Sequence, residues 1–209
     1  MNIYRQLRAL EAINPEYKNY RYFDCNGNPY ECDVLLVGLN PAFGLPDGKD
    51  FWEYCTETSG FELTKWLKDY QAERERSKKS KTSPTRNRIE TLRTAVLPYK
   101  LLNCNIFSKN TPRLKDLKSD DRDTEIFNIL LKELNPKYII LHGGLTKKVF
   151  EKIVPAYSAR YPDWQKLQIL LNGKEIQLLS IPHLFNMALT HSKNEHRNIE
   201  LVAKTILGK

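Results

Sequence analysis

The sequence predicts an α/β domain, a three-layer α/β/α sandwich around a central, mostly parallel four-stranded sheet. Three observations point there. Short apolar runs recur at 34–38, 101–107, 138–142 and 176–181, each apolar enough to be covered on both faces. Segments with helical spacing separate them, and strand–helix–strand succession gives parallel neighbours. Each run empties into Gly, Asn, Pro or His, which gathers polar loops at the carboxyl edge of the sheet, where open α/β sheets bind ligands.

The elements follow in chain order. Residues 1–8 read as the start of an amphipathic helix with charges throughout, and not as a charged patch followed by an apolar signal core. Export is not expected, and a cytoplasmic location fits. Residues 15–32 form a tyrosine- and turn-rich approach to the first strand, 34–38. Apolar positions Phe51, Trp52, Tyr54, Phe61, Leu63, Trp66, Leu67 and Tyr70 predict one helix broken near Ser59-Gly60 and a second after it. A basic excursion over 74–88 interrupts, with a boundary at Ser83-Pro84, before Ile89, Leu92 and Val96 resume helical spacing up to Pro98. The second strand, 101–107, ends in a polar loop at 108–113. A helix over 120–134 carries Ile126, Ile129, Leu130 and Leu134 on one face. The third strand, 138–142, turns through Gly143-Gly144 into a helix over 146–153. Asn172-Gly173, between apolar runs 167–171 and 175–181, is a strong hairpin signal. The last helix opens at Ser192 with Glu195 three residues on, a capping box.

Size and composition narrow the class. A chain of 209 residues without a low-complexity gap reads as a single domain spanning 1–209. The hydrophobic fraction of 41% is ordinary for a globular protein, and no run approaches the roughly 18 apolar residues of a membrane span. Cys25, Cys32, Cys55 and Cys104 have no C-x-x-C pair among them, so free thiols are expected and neither a metal nor a cofactor is implied. The net charge of +8 is concentrated: residues 74–88 hold Arg74, Arg76, Lys78, Lys79, Lys81, Arg86 and Arg88 against Glu75 alone. Such a patch is the footprint of a phosphate-backbone binder. A solvated loop is its plain alternative.

The most informative stretch is Asp33-Val34-Leu35-Leu36-Val37-Gly38-Leu39-Asn40-Pro41-Ala42-Phe43-Gly44. A buried strand there delivers Asn40 just beyond its carboxyl end on a turn with little bulk around it. Three ordered blocks carry a resemblance. Leu36-Val37-Gly38-Leu39-Asn40-Pro41 is similar to the Gly-x-Asn-Pro motif of the uracil-DNA glycosylase superfamily, closest to its mismatch-specific uracil/thymine-DNA glycosylase branch, and a Phe51-Trp52 pair follows as in that branch. The run from Asn105 through Thr111-Pro112 to Lys115-Asp116-Leu117 resembles the second block, and 134–144, ending in His142-Gly143-Gly144, the third.

What the resemblance implies is a monofunctional DNA glycosylase without metal: a uracil or related base is flipped from DNA into a pocket and cleaved at its N-glycosidic bond by water. Asn40 would orient the water, since an amide is no strong base, leaving the rate to stabilisation of an anionic leaving base. Gly38, Leu39 and Pro41 would shape the pocket. Asn105 offers the paired donor and acceptor that reading uracil requires; Asn103 competes for that role, and the Thr-Pro loop favours Asn105. Phe43 would stack on the base, with core packing as its alternative. Where the family has His/Asn-Pro-Ser, this chain has Pro182-His183-Leu184. His183 is the candidate donor to the leaving base, and Leu184 with Phe185 the candidate wedge into the vacated stack. Lys78, Lys79, Lys81, Arg86 and Arg88 would meet DNA, duplex or single-stranded, with the protein as a monomer. Two rival readings are a catalytically silent nucleic-acid-binding protein of the same fold and a small-molecule nucleotide binder. The latter lacks a phosphate-cradling glycine loop.

Overall fold

The structure, a computed structural model, describes residues 2–111, 113–184 and 195–208. Among the described residues nine strands form two sheets: β1 (Phe23–Asp24), β2 (Asn26–Gly27), β3 (Val34–Gly38), β4 (Cys55–Thr56), β5 (Gly60–Glu62), β6 (Leu101–Asn105), β7 (Tyr138–His142), β8 (Lys166–Leu171) and β9 (Lys174–Ile181). Six α-helices of the described residues accompany them: α1 (Ile3–Ile13), α2 (Leu63–Arg76), α3 (Pro84–Ala95), α4 (Glu125–Glu133), α5 (Gly144–Ile153) and α6 (Glu195–Leu207). The main sheet has the order β1-β6-β3-β7-β9-β8. Its four central strands are parallel, and the two edge strands β1 and β8 run antiparallel. The expected four-stranded core is therefore present and extended at both edges. None of the described helices is long and apolar enough to cross a membrane.

Alternation along the strands sorts the core into two layers. Leu35, Val37, Leu102, Cys104, Ile139, Leu141 and Leu178 face a cluster completed by α1, α4 and Phe150 of α5. Val34, Leu36, Leu101, Ile140, Leu179 and Ile181 face the other way, against Ile89, Leu92 and Val96 beside α3 and Ile199, Val202 and Ile206 of α6. Both faces are covered, as continuous apolar strands require, and each fully buried Leu or Ile contributes about 1.5–3 kcal/mol.

Local chemistry sets the boundaries. Ser83 caps α3 by accepting from the Arg86 amide at 3.1 Å, with Pro84 in the first helical turn. Asn172 and Gly173 both have positive φ, 51° and 76°, the geometry of a two-residue hairpin turn whose twist matches its strands. The segment expected as a broken helix near Ser59-Gly60 differs. It contains a short 3₁₀ turn, Phe51–Glu53, and then β4 and β5, which join β2 in a small second sheet. Gly60 decides this. Its φ of 71° and a Cβ position 2.1 Å from the Gly27 carbonyl oxygen admit only glycine, so the chain turns back as a hairpin against β2.

A buried ion cluster ties the sheet edge to α3. Asp24, with a fully buried side chain, accepts from both terminal nitrogens of Arg86, at 3.1 and 3.0 Å, and from Arg93 at 2.6 Å. Arg21 also donates to it, and Asn103 Nδ2 donates at 2.8 Å. Glu90 adds a second, partly exposed acid on Arg86 and Arg93 at 3.0 and 3.2 Å. Arg21 and Arg86 also lie over the Trp66 ring, at 4.8 and 4.6 Å from its centroid. Three guanidinium groups against two carboxylates leave one surplus positive charge. Burial first, then the neighbouring Arg86 charge, pulls the Arg21 pKa well below its ordinary value. A guanidinium stays protonated regardless, so the shift expresses first the cost of burying this charge and then that of crowding it against Arg86.

Asp24→Ala should lower stability by about 3–5 kcal/mol, because it strands buried guanidinium groups without a counter-charge. Urea unfolding of the two proteins measures this, and an unchanged midpoint would remove the cluster's structural role.

Candidate functional site

A cavity of about 530 Å³ opens at the carboxyl ends of β3, β6, β7 and β9, within the about 300–1,000 Å³ typical of small-molecule sites. Its walls include Leu39, Asn40, Pro41 and Phe43 from the loop after β3, Asn105 from β6, His142 from β7 and His183 from the loop after β9. The loops are fixed by backbone bonds: the Ile106 and Phe107 amides donate to the Gly38 and Leu39 carbonyls at 2.9 and 2.8 Å, and the Thr111 amide to Pro41 at 3.1 Å.

Register explains which side chains meet. Gly38 pairs with Asn105, and Val37 with Leu141, so Asn105, Gly38 and His142 form a row across three adjacent strands on the face covered by α3 and α6. A Cβ at position 38 would lie 2.6 Å from Asn105 Oδ1 and 2.8 Å from His142 Nε2. The missing side chain is what lets these two polar groups close over the strand. Two residues deeper on the same strand face, Asn103 is committed to Asp24. The Asn105 amide makes no hydrogen bond to the described residues, so of the two asparagines it is the one with its donor and acceptor available to a ligand.

Asn40 Nδ2 donates to Thr111 Oγ1 at 2.9 Å, which fixes the amide and leaves its carbonyl oxygen as the acceptor on offer. Phe43 is half-buried and meets Tyr70 edge to face, centroids 4.8 Å apart, and Tyr70 stacks on Trp66 at 5.2 Å. Phe43, Tyr70 and Trp66 thus form an aromatic part of the cavity wall, and Phe43 also packs against the core.

His142 is the candidate site residue that sequence reasoning missed. It is 5% exposed, and its Nδ1 is buried without a hydrogen-bond partner among the described residues. Burial first, with a smaller effect of His183, lowers its pKa to about 3, so the imidazole is neutral at physiological pH. Its ring meets that of His183 at 5.1 Å and 64°. Gly143 makes room for this pair: its φ is 100°, and a Cβ there would lie 3.2 Å from His183 Cδ2. The signal was available, because His142 ends a buried strand before Gly-Gly at the same edge that singled out Asn40 and Asn105.

The remaining expected residues divide. His183 sits exposed on the cavity rim, its pKa lowered by partial loss of solvent. Lys78, Lys79 and Lys81 are exposed between α2 and α3, and Lys79 reaches the cavity wall. Arg86 and Arg88 are buried, at 5% and 6% exposure, and are not part of an outward basic face; for Arg86 the reason is its ion pair with Asp24. Leu184 is fully buried in the layer with α3 and α6, which removes it as an exposed wedge. Phe185 lies outside the described residues. A large exposed apolar residue on the cavity rim is instead Leu145, in the first turn of α5. All four cysteines are buried free thiols, and the described residues contain no cluster of His, Cys, Asp and Glu suited to a metal. In comparisons with known proteins, no family model matches the chain, and no curated protein matches it.

Gly38→Ala should cost about 1–3 kcal/mol by overpacking against Asn105 and His142. Gly144→Ala, where a Cβ meets nothing within 4 Å, should stay within about 0.5 kcal/mol of the parent. Thermal melts of both variants test the contrast, and equal melting points would contradict it. A second expectation concerns pH. The folded pKa of His142 lies below its unfolded value of about 6.5, so between pH 6.5 and 3 the unfolded chain binds the extra proton. The His142 contribution is complete above that window and is lost as pH falls through it, with a slope on the order of 1 kcal/mol per pH unit. His142→Asn should flatten this acid limb in denaturant titrations, and a parallel limb in both proteins would reject the assignment.

Proposed function

We propose that the protein is a monofunctional DNA glycosylase with a uracil-DNA glycosylase-like fold, hydrolysing the N-glycosidic bond of a flipped uracil or related deaminated base. The observation that carries this reading is the Asn105–Gly38–His142 row in a cavity that Asn40 and Phe43 also line: an amide edge without a partner among the described residues, an anchored amide and an aromatic face around one cavity. That combination suits a flipped base, read on its polar edge and stacked on its face. The three sequence blocks resembling the superfamily converge on this same edge.

In this mechanism Asn40 orients the attacking water through its carbonyl oxygen, held by the bond to Thr111. Asn105 addresses the carbonyl and N–H of the base together. As the glycosidic bond breaks, negative charge develops on the departing base. Neutral imidazole donors at His142 or His183 stabilise it without being consumed as acids. Lys78, Lys79 and Lys81 supply salt-sensitive backbone attraction, and Leu145 takes the wedge role that the buried Leu184 does not.

A second reading, a catalytically silent DNA-binding protein of the same fold, is favoured by one observation: the described cavity walls contain no carboxylate to act as a general base. The two separate cleanly. Uracil-containing duplexes (U:G and U:A), T:G duplexes and single strands should yield alkali-labile abasic sites, and Asn40→Ala should reduce the rate by about 10²-fold. Salt-dependent binding with no abasic product on any substrate would establish the silent reading instead.

A further inference from the structure

The described lining of the cavity includes four cationic side chains, Arg21, Arg74, Lys79 and Arg86, and neither aspartate nor glutamate. Asp24 and Glu90 sit behind the arginines and leave that cluster one positive charge in surplus. Arg74 is held over Tyr70 at 5.7 Å from the ring centroid and bonded to the Ser80 carbonyl at 2.6 Å, with no carboxylate partner among the described residues. Lys79 is exposed beside it. Two helices of 12 and 10 residues, α3 and α5, also begin on the wall, at Ser83-Pro84-Thr85 and at Gly143-Gly144. Their amide ends carry partial positive charge into the same space. A neutral ring needs only the Asn105–His142 end and the aromatic wall, and it leaves the cationic side of the cavity unused.

We infer that the cavity binds a whole nucleotide as an anion, with its ring over Asn105 and His142 and its phosphate against the cationic wall formed by Arg74 and Lys79, in front of the surplus charge of the buried ion cluster. Placement of the ring rests on the base-reading role proposed for Asn105; placement of the phosphate rests on the charge of the wall alone. A phosphate is the fitting anion because guanidinium forks and helix amide ends both match its oxygens. Burying it there neutralises a surplus that is otherwise costly at low dielectric. The phosphate has two sources, a free nucleoside monophosphate or a terminal nucleotide of a DNA strand, and both present the same group.

Calorimetric titration of the whole protein with deoxyuridine, deoxyuridine 5′-monophosphate and a 5′-phosphorylated single-stranded uracil oligonucleotide tests this. The monophosphate should bind at least about tenfold more tightly than the nucleoside, with affinity falling as salt rises. Arg74→Ala/Lys79→Ala, which changes residues outside the buried ion cluster, should remove that advantage while leaving nucleoside affinity within about twofold. With the monophosphate ahead of the nucleoside, still tighter binding of the phosphorylated strand assigns the site to DNA ends, and weaker binding of the strand assigns it to free nucleotides. Equal affinity for nucleoside and monophosphate, or no binding of either phosphorylated ligand, overturns the inference. Either result is independent of whether abasic sites form, so the inference and the glycosylase reading fail separately.

Discussion

One buried carboxylate organises the edge of the main sheet where the cavity opens. Asp24 holds Arg21 from the approach to β1, Arg86 and Arg93 from α3, and Asn103 from β6. Those bonds do more than satisfy charge. They place the first turn of α3 beside the end of β6, where it becomes a wall of the cavity, and they occupy Asn103 so that Asn105, two residues nearer the edge, keeps its amide for a ligand. A buried ion cluster is weak evidence for net stability, since desolvation opposes the Coulombic gain. Here its consequence is positional, and the surplus charge it leaves faces the cavity.

A second constraint is the absence of a side chain at Gly38. Strand register alone brings Asn105 and His142 to either side of β3, but only the bare Cα lets them approach over it. Gly143 repeats the device one strand away for His142 and His183. The electrostatic result is a neutral polar row at the strand ends with cationic side chains along one flank. On the proposed reading, the neutral row meets the base and the flank meets phosphate. Neutral imidazole is the appropriate state for such a row, because a protonated His142 would be a buried charge next to His183 with no counter-charge among the described residues.

Much of this was legible in the sequence, for identifiable reasons. The four parallel strands are apolar on both faces, and the Asn-Gly turn and the Ser-Pro helix start are local signals that need no tertiary context. β1 was invisible because two residues, Phe23 and Asp24, form a strand only by pairing with β6. The hairpin of β4 and β5 resembled a helix because aromatic positions three and four apart fit either period over a short span; Gly60 and its approach to Gly27 settle it. Arg86 read as part of a basic patch because its partner Asp24 lies 62 residues away in the chain. Leu184 shares this limit, since burial by α6 is a long-range fact. His142 is a different case: the edge rule that selected Asn40 applied equally to it.

The most direct measurement is a crystal structure of the Asn40→Ala protein bound to a uracil-containing oligonucleotide. The predicted result is a uracil ring inside the cavity, within about 3 Å of the Asn105 amide, beside His142 and facing Phe43. An oligonucleotide seated elsewhere on the surface, with the cavity above Gly38 empty and Asn105 uncontacted, would contradict the central claim that this edge of the sheet is a base-reading site.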